Sequence, residues 1–141
     1  MHKWSVEENL ICCKEYLKYS LKDDKLKPIT PLLNKLVGFF PNINPYSMQC
    51  KIQNIKQLCL EYEIPDFVDI MPLSNYSEVN KAAFYRLILE SEIQDLIECR
   101  KEDLRKRKEE DKKNQKTIEE IKKFASSFRN KKIWGVLWIK I

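Results

Sequence analysis

With 141 residues, 43% of them hydrophobic, the chain is long enough for one domain with a core plus an appendage and too rich in apolar side chains for wholesale disorder. Two glycines, Gly38 and Gly135, exclude glycine-cradled phosphate loops and turn-rich β-sandwiches, so a helical chain is expected. The net charge of +5 is uneven: residues 1–90 carry 11 basic and 11 acidic side chains, whereas residues 91–141 carry 15 and 10.

The first helix is signalled by Ser5 and Glu8, spaced as a capping box. Val6, Leu10, Cys13, Leu17 and Leu21 follow at alternating four- and three-residue intervals, which lines one helical face, and Trp4 is placed over its open end. After a charged connector, Lys22 to Lys27, Thr30 and Pro31 read as cap and first residue of a second helix that Gly38 or Pro41 ends. The prolines and asparagines of 41–45 are turn material, and Ser47 is the expected cap of a third helix. Its buried stripe is Met48, Ile52, Ile55, Cys59 and Tyr62, which leaves Gln49, Gln53, Asn54, Lys56 and Gln57 on or near the opposite face, with Lys51 closer to the stripe.

Two prolines make 64–72 an extended loop. Ser74 or Asn75 is the expected cap of a fourth helix whose stripe runs through Val79, Ala83, Phe84, Leu87 and Ile88 and continues at Ile93, Leu96, Ile97 and Leu104. From Arg105 to Lys116 no apolar face remains, so the organisation expected is a helical module over 1–104 and a charged helical arm with an apolar tail over 105–141. The fold class expected is all-α: a compact three-to-four-helix, helix-turn-helix-like module, then a long charged helix.

Candidate chemistry is sparse. His2, the single histidine, stands at the terminus, which leaves no Ser/His or Cys/His pair inside the fold. The five cysteines form no CxxC pair, Cys12 and Cys13 are expected on different sides of their helix, and no metal, cofactor or disulfide is expected; reduced thiols point to the cytoplasm. No apolar run is long enough to span a membrane. The chain is therefore expected not to be an enzyme.

Two constellations favour binding. Gln49, Lys51, Gln53, Asn54, Lys56 and Gln57 on a third helix suit base edges and phosphates in a DNA major groove, and the basic stretch Arg100 to Lys132, with Arg105, Lys106, Arg107 and Lys108 within it, suits phosphates. Phe124, Phe128, Trp134 and Trp138 are aromatic anchors for a protein partner or a second copy of the chain. The bland alternatives are a solvated helix face, a self-paired charged helix and a tail folded on the core.

The opening Trp4-Ser5-Val6-Glu7-Glu8 with Ser47 to Asn54 resembles the start and third helix of Myb/SANT domains. A longer string, Trp4-Ser5-x-Glu7-Glu8, Tyr16-Leu17, Ser47, Lys51-Ile52-Gln53-Asn54-Ile55, Ile64-Pro65 and Pro72-Leu73-Ser74-Asn75-Tyr76, resembles the N-terminal helical module of bacterial and phage restriction-type proteins, where it precedes an HNH or other nuclease domain. The resemblance implies a non-enzymatic, DNA-associated protein of a bacterial defence system or mobile element, with Lys51, Gln53 and Asn54 as the matched third-helix residues. It leaves as the alternative a protein-interaction factor, such as a phage-encoded inhibitor or accessory subunit of a defence nuclease. From Ser91 onward no HNH motif follows.

Overall fold

The computed structural model describes residues 2–129 and is all-α apart from one two-residue strand pair. The helices are α1 (Val6–Ser20), α2 (Thr30–Phe39), α3 (Pro45–Glu61), α4 (Glu78–Ile88) and α5 (Ser91–Arg129). The strands β1 (Lys27–Pro28) and β2 (Val68–Asp69) pair in parallel, Lys27 opposite Val68. The chain divides into two compact units, Met1–Asp103 and Leu104–Ile141.

In the first unit α1 starts as its sequence requires: Ser5 Oγ accepts from the Glu8 amide at 3.1 Å and Glu8 Oε1 accepts from the Ser5 amide at 2.8 Å. That backbone hydrogen bond from Ser5 holds the Glu8 carboxyl below its ordinary pKa, in keeping with an anion in the first turn of a helix. The buried face is broader than the expected stripe and rotated from it. Val6 is exposed, while Asn9, Cys12, Cys13, Tyr16, Leu17 and Ser20 are buried, because α1 packs against α2, α3 and α4 at once. Cys12 and Cys13 are therefore both inside, not on different sides.

Three caps differ from the expected ones. The cap of α2 is Ile29, which makes no side-chain cap bond, so Thr30 is already helical and Pro31 lies one residue further in. Asn44, not Ser47, caps α3: its Oδ1 accepts from the Tyr46 amide at 2.7 Å, and Pro45 takes the first helical position, where its missing N–H costs nothing. Ser77, not Ser74 or Asn75, caps α4 by accepting from the Asn80 amide at 3.1 Å. The stripe from Val79 to Leu104 belongs to two helices. The Leu89 and Glu90 amides turn back to Arg86 and Leu87 carbonyls at 3.3 and 3.1 Å, and Gln94 Nε2 donates to the Ile88 carbonyl at 2.6 Å.

Segment 62–77 is tied down at several points. At the end of α3 the Ile64 amide reaches the Cys59 carbonyl at 2.8 Å and the Glu63 amide reaches Leu60 at 3.3 Å, a Schellman closure that sets Glu63 at φ 55°, a left-handed conformation glycine usually supplies. Beyond it, the β1–β2 bridge holds the segment to Lys27 and Pro28, and the Asp66 carboxylate holds it to α1. Asp66, its side chain 4% exposed, accepts from Tyr16 Oη at 2.6 Å, Ser20 Oγ at 3.3 Å and the Val68 amide at 3.0 Å, with Lys56 Nζ at 3.5 Å. Lys27 closes the same, C-terminal, end of α1: its buried Nζ donates to the Ser20, Asp23 and Lys25 carbonyls at 3.0, 3.0 and 2.7 Å, the role a cation has at a helix C-terminus. Ile93 and Ile97 of α5 complete this core, and Arg100 Nη1 donates to the Leu21 carbonyl at 2.9 Å.

The second unit is described from Leu104 to Arg129 and is the remainder of α5. Every residue from Arg105 to Phe124 is exposed, as the missing apolar face predicts, and Arg105 Nη1 meets Glu109 Oε1 at 2.7 Å one turn on.

Candidate functional site

The residues expected to form an open face of α3 are mostly enclosed. Gln49 alone among the six is exposed, and Gln57 is half-buried. Gln53 Nε2 donates to the Met71 carbonyl at 3.1 Å and the Leu73 amide returns a bond to the Gln53 carbonyl at 3.1 Å, while Lys56 Nζ donates to the Val68 carbonyl at 2.7 Å. Lys51 and Asn54 are buried. Segment 66–73 thus runs along the face that was expected to be free for a groove. The apolar residues Phe67, Val68 and Ile70, scattered through what reads as a proline-bracketed loop, are the sequence signal for this packing.

What the structure brings together instead is a polar cluster around Lys51 that no local sequence pattern announces. Lys51 is 4% exposed, and its Nζ donates to Asn9 Oδ1 on α1 at 2.8 Å and to Asn80 Oδ1 on α4 at 3.2 Å, so one ammonium joins three helices. Each asparagine is satisfied at its other end: Asn9 Nδ2 donates to the Ser5 carbonyl at 2.8 Å and Asn80 Nδ2 to Cys13 Sγ at 3.6 Å. The Trp4 ring closes the cluster with its centre 4.7 Å from Nζ, His2 packs edge-on against Trp4 at 4.9 Å, and His2 Nε2 lies 3.1 Å from Glu8 Oε1. Among the described residues no carboxylate forms an ion pair with Lys51, and burial lowers its pKa, with the Glu8 carboxylate opposing the shift.

A cavity of about 480 Å³ opens beside the cluster. Trp4 and Tyr46 supply its aromatic wall, Ser47, Ser77, Asn54 and Asn75 its polar groups, and Cys50, Lys51, Leu73 and His2 the remainder. A second depression of about 400 Å³ adjoins it through His2, Tyr46 and Ser47 and adds Asn42 and Asn44. Among the described residues neither is lined by an aspartate or glutamate, and Lys51 lines the larger one. Asn54 lines the larger cavity, and its Oδ1 is buried without a hydrogen-bond partner.

The second expected constellation lies in the second unit. Arg105, Lys106, Arg107 and Lys108 are all exposed, and Arg105 is paired with Glu109. Phe124 is 65% exposed, and Ile118 and Ile121 near it are 44% and 61% exposed. The side chain of Phe128 and the whole of Trp134 and Trp138 fall outside the described residues. Among the described residues no group of three His, Cys, Asp or Glu side chains converges as metal ligands would, and no helix is long and apolar enough to cross a membrane. Compared with protein-family models, curated proteins and solved structures, the chain matches none.

Proposed function

We propose that this chain is a non-enzymatic, DNA-associated protein that contacts the phosphate backbone through the first half of its arm. The observation that carries the reading is the charge of the described arm: residues 104–129 hold ten basic and five acidic side chains, and every position from Arg105 to Phe124 is exposed. The resemblance to restriction-type modules supports placing the protein in a bacterial defence system or mobile element, and five free thiols support a reducing, cytoplasmic setting. Because Lys51 and Asn54 are buried and Gln53 and Lys56 are engaged by segment 66–73, this reading gives the third helix a lesser share of the contact than its sequence pattern suggests.

Filter binding of duplex DNA over a range of salt concentrations tests it. Affinity at low salt that falls steeply with salt is expected, and replacing Arg105, Lys106, Arg107 and Lys108 together by Gln lowers the log–log salt slope by roughly 3 to 4. Undetectable affinity at low salt, or an unchanged slope in the fourfold variant, overturns the proposal.

A second reading rests on the exposed Ile118, Ile121 and Phe124: a protein-interaction factor, such as an inhibitor or accessory subunit of a defence nuclease, docking through the arm. Loss of a partner or of a dimer in Ile118→Asp/Ile121→Asp, with DNA affinity intact, favours it over the first.

A further inference from the structure

We propose that the cavity beside Lys51 receives one unstacked nucleobase of a DNA strand, a base bearing an exocyclic amino group. This rests on the DNA-associated reading and assigns it a second, base-reading contact, on the first unit.

Three independent features of the cavity point to that chemistry. Its wall is aromatic: Tyr46, 73% exposed at the rim, offers a free ring face on which a planar heterocycle stacks, and Trp4 stands deeper, already held by Lys51. Its polar lining is made of amides and hydroxyls, and among the described residues no acid lines it and no carboxylate forms an ion pair with the lining Lys51. Such a lining carries no negative charge to repel a phosphate, and its hydroxyl and amide N–H groups suit ring nitrogens and carbonyls, which are acceptors. Third, Asn54, 8% exposed, keeps a buried Oδ1 unpartnered, which costs free energy unless a donor arrives. The complementary group is an N–H donor that projects past the ring edge, the exocyclic amine of cytosine, adenine and guanine; thymine's one N–H, at N3, is set back between two carbonyls. The cavity, about 480 Å³, shares its His2, Tyr46 and Ser47 walls with the second depression and has room for a base.

Fluorescence anisotropy with labelled oligothymidines of about twelve nucleotides tests the assignment, the central residue being thymidine, deoxycytidine or an abasic site. The deoxycytidine probe is expected to bind about tenfold more tightly than the other two, the difference one hydrogen bond to an otherwise orphaned acceptor makes. Asn54→Leu is expected to equalise the three probes. Tyr46→Ala, at an exposed position, is expected to weaken the deoxycytidine probe while the melting temperature stays unchanged. Equal affinities for all three probes in the unaltered protein, or a preference that survives Asn54→Leu, overturns the base site; if those probes still lose affinity in the fourfold arm variant, the DNA-associated reading stands without it. Absence of binding to every probe and to duplex removes both. Competition by free deoxycytidine monophosphate as effective as by the strand overturns the strand assignment in favour of a free-nucleotide site.

Discussion

Lys51 Nζ lies 2.8 Å from Asn9 Oδ1, across 42 positions of sequence, and this bond decides what α3 presents to the outside. A lysine drawn inward to α1 and α4 leaves the polar side of α3 to be met by segment 66–73 and by the cavity. The cost of burying the ammonium is met by neutral amide oxygens and the Trp4 ring, an arrangement that tolerates no loss of a partner. Lys51→Met keeps the length of the side chain but strands two buried acceptors, so it should destabilise the protein by about 2 to 4 kcal/mol in urea unfolding. A variant as stable as the original would show that the cluster contributes nothing to the fold.

Lys51 also predicts a pH dependence. Its folded pKa lies below the ordinary 10.5, so between the two values the unfolded chain binds more protons and stability from this group rises with pH. Measured against Lys51→Met, the original protein should therefore gain relative stability between neutral pH and the lysine's ordinary pKa.

The buried thiols act in the opposite direction. Burial pushes the Cys12 thiol from 9.0 up to about 12, and Cys13 and Cys59 are also raised, chiefly by burial. Their contribution is complete below pH 9.0 and is lost as the pH rises toward the folded values, by about 1.4 kcal/mol per pH unit for each thiol that ionises only on unfolding. Equilibrium unfolding from pH 8 to 11 should show this alkaline decline, and Cys12→Ala should shallow it while lowering stability at neutral pH through the lost packing against Met48.

Glu63 is the one described non-glycine residue with a positive φ, 55°. Glu63→Gly should relieve that conformation and stabilise the protein by about 0.5 to 1 kcal/mol after the added freedom of the unfolded chain is subtracted, whereas Glu63→Val should destabilise it. Thermal unfolding of the pair in parallel would expose an error in either sign.

Asn54→Leu should raise the stability of the ligand-free protein by about 1 kcal/mol, because a near-isosteric apolar side chain replaces an orphaned acceptor. If the variant is destabilised instead, the amide has a partner within the fold.

How far these features were legible in the sequence depends on the distance over which each is made. The α1 capping box, the end of the core near residue 104 and the exposed arm are written within one or two helical turns, and pattern alone finds them. Asn44 prevails over Ser47 because Pro45 behind it is pre-set for a first helical turn, a cue that is local in the sequence. The α4–α5 break at Leu89–Glu90 carries no glycine or proline and is a product of packing. The Asp66 and Lys51 clusters join residues 29 to 50 positions apart, each of which, read singly, looks like a surface polar residue. That is why the third helix reads as open.

Helix α5 crosses from one unit to the next without a break, yet its two halves are held by different means. Amides near Ile93 and Ile97 can exchange with solvent deuterium only when the surrounding core opens, whereas those between Arg105 and Phe124 depend on helix propensity and pairs such as Arg105–Glu109. A single continuous helix should accordingly show a steep protection gradient centred near Leu104, slow-exchanging on one side and fast on the other, and the arm should unwind and reform many times for each opening of the core.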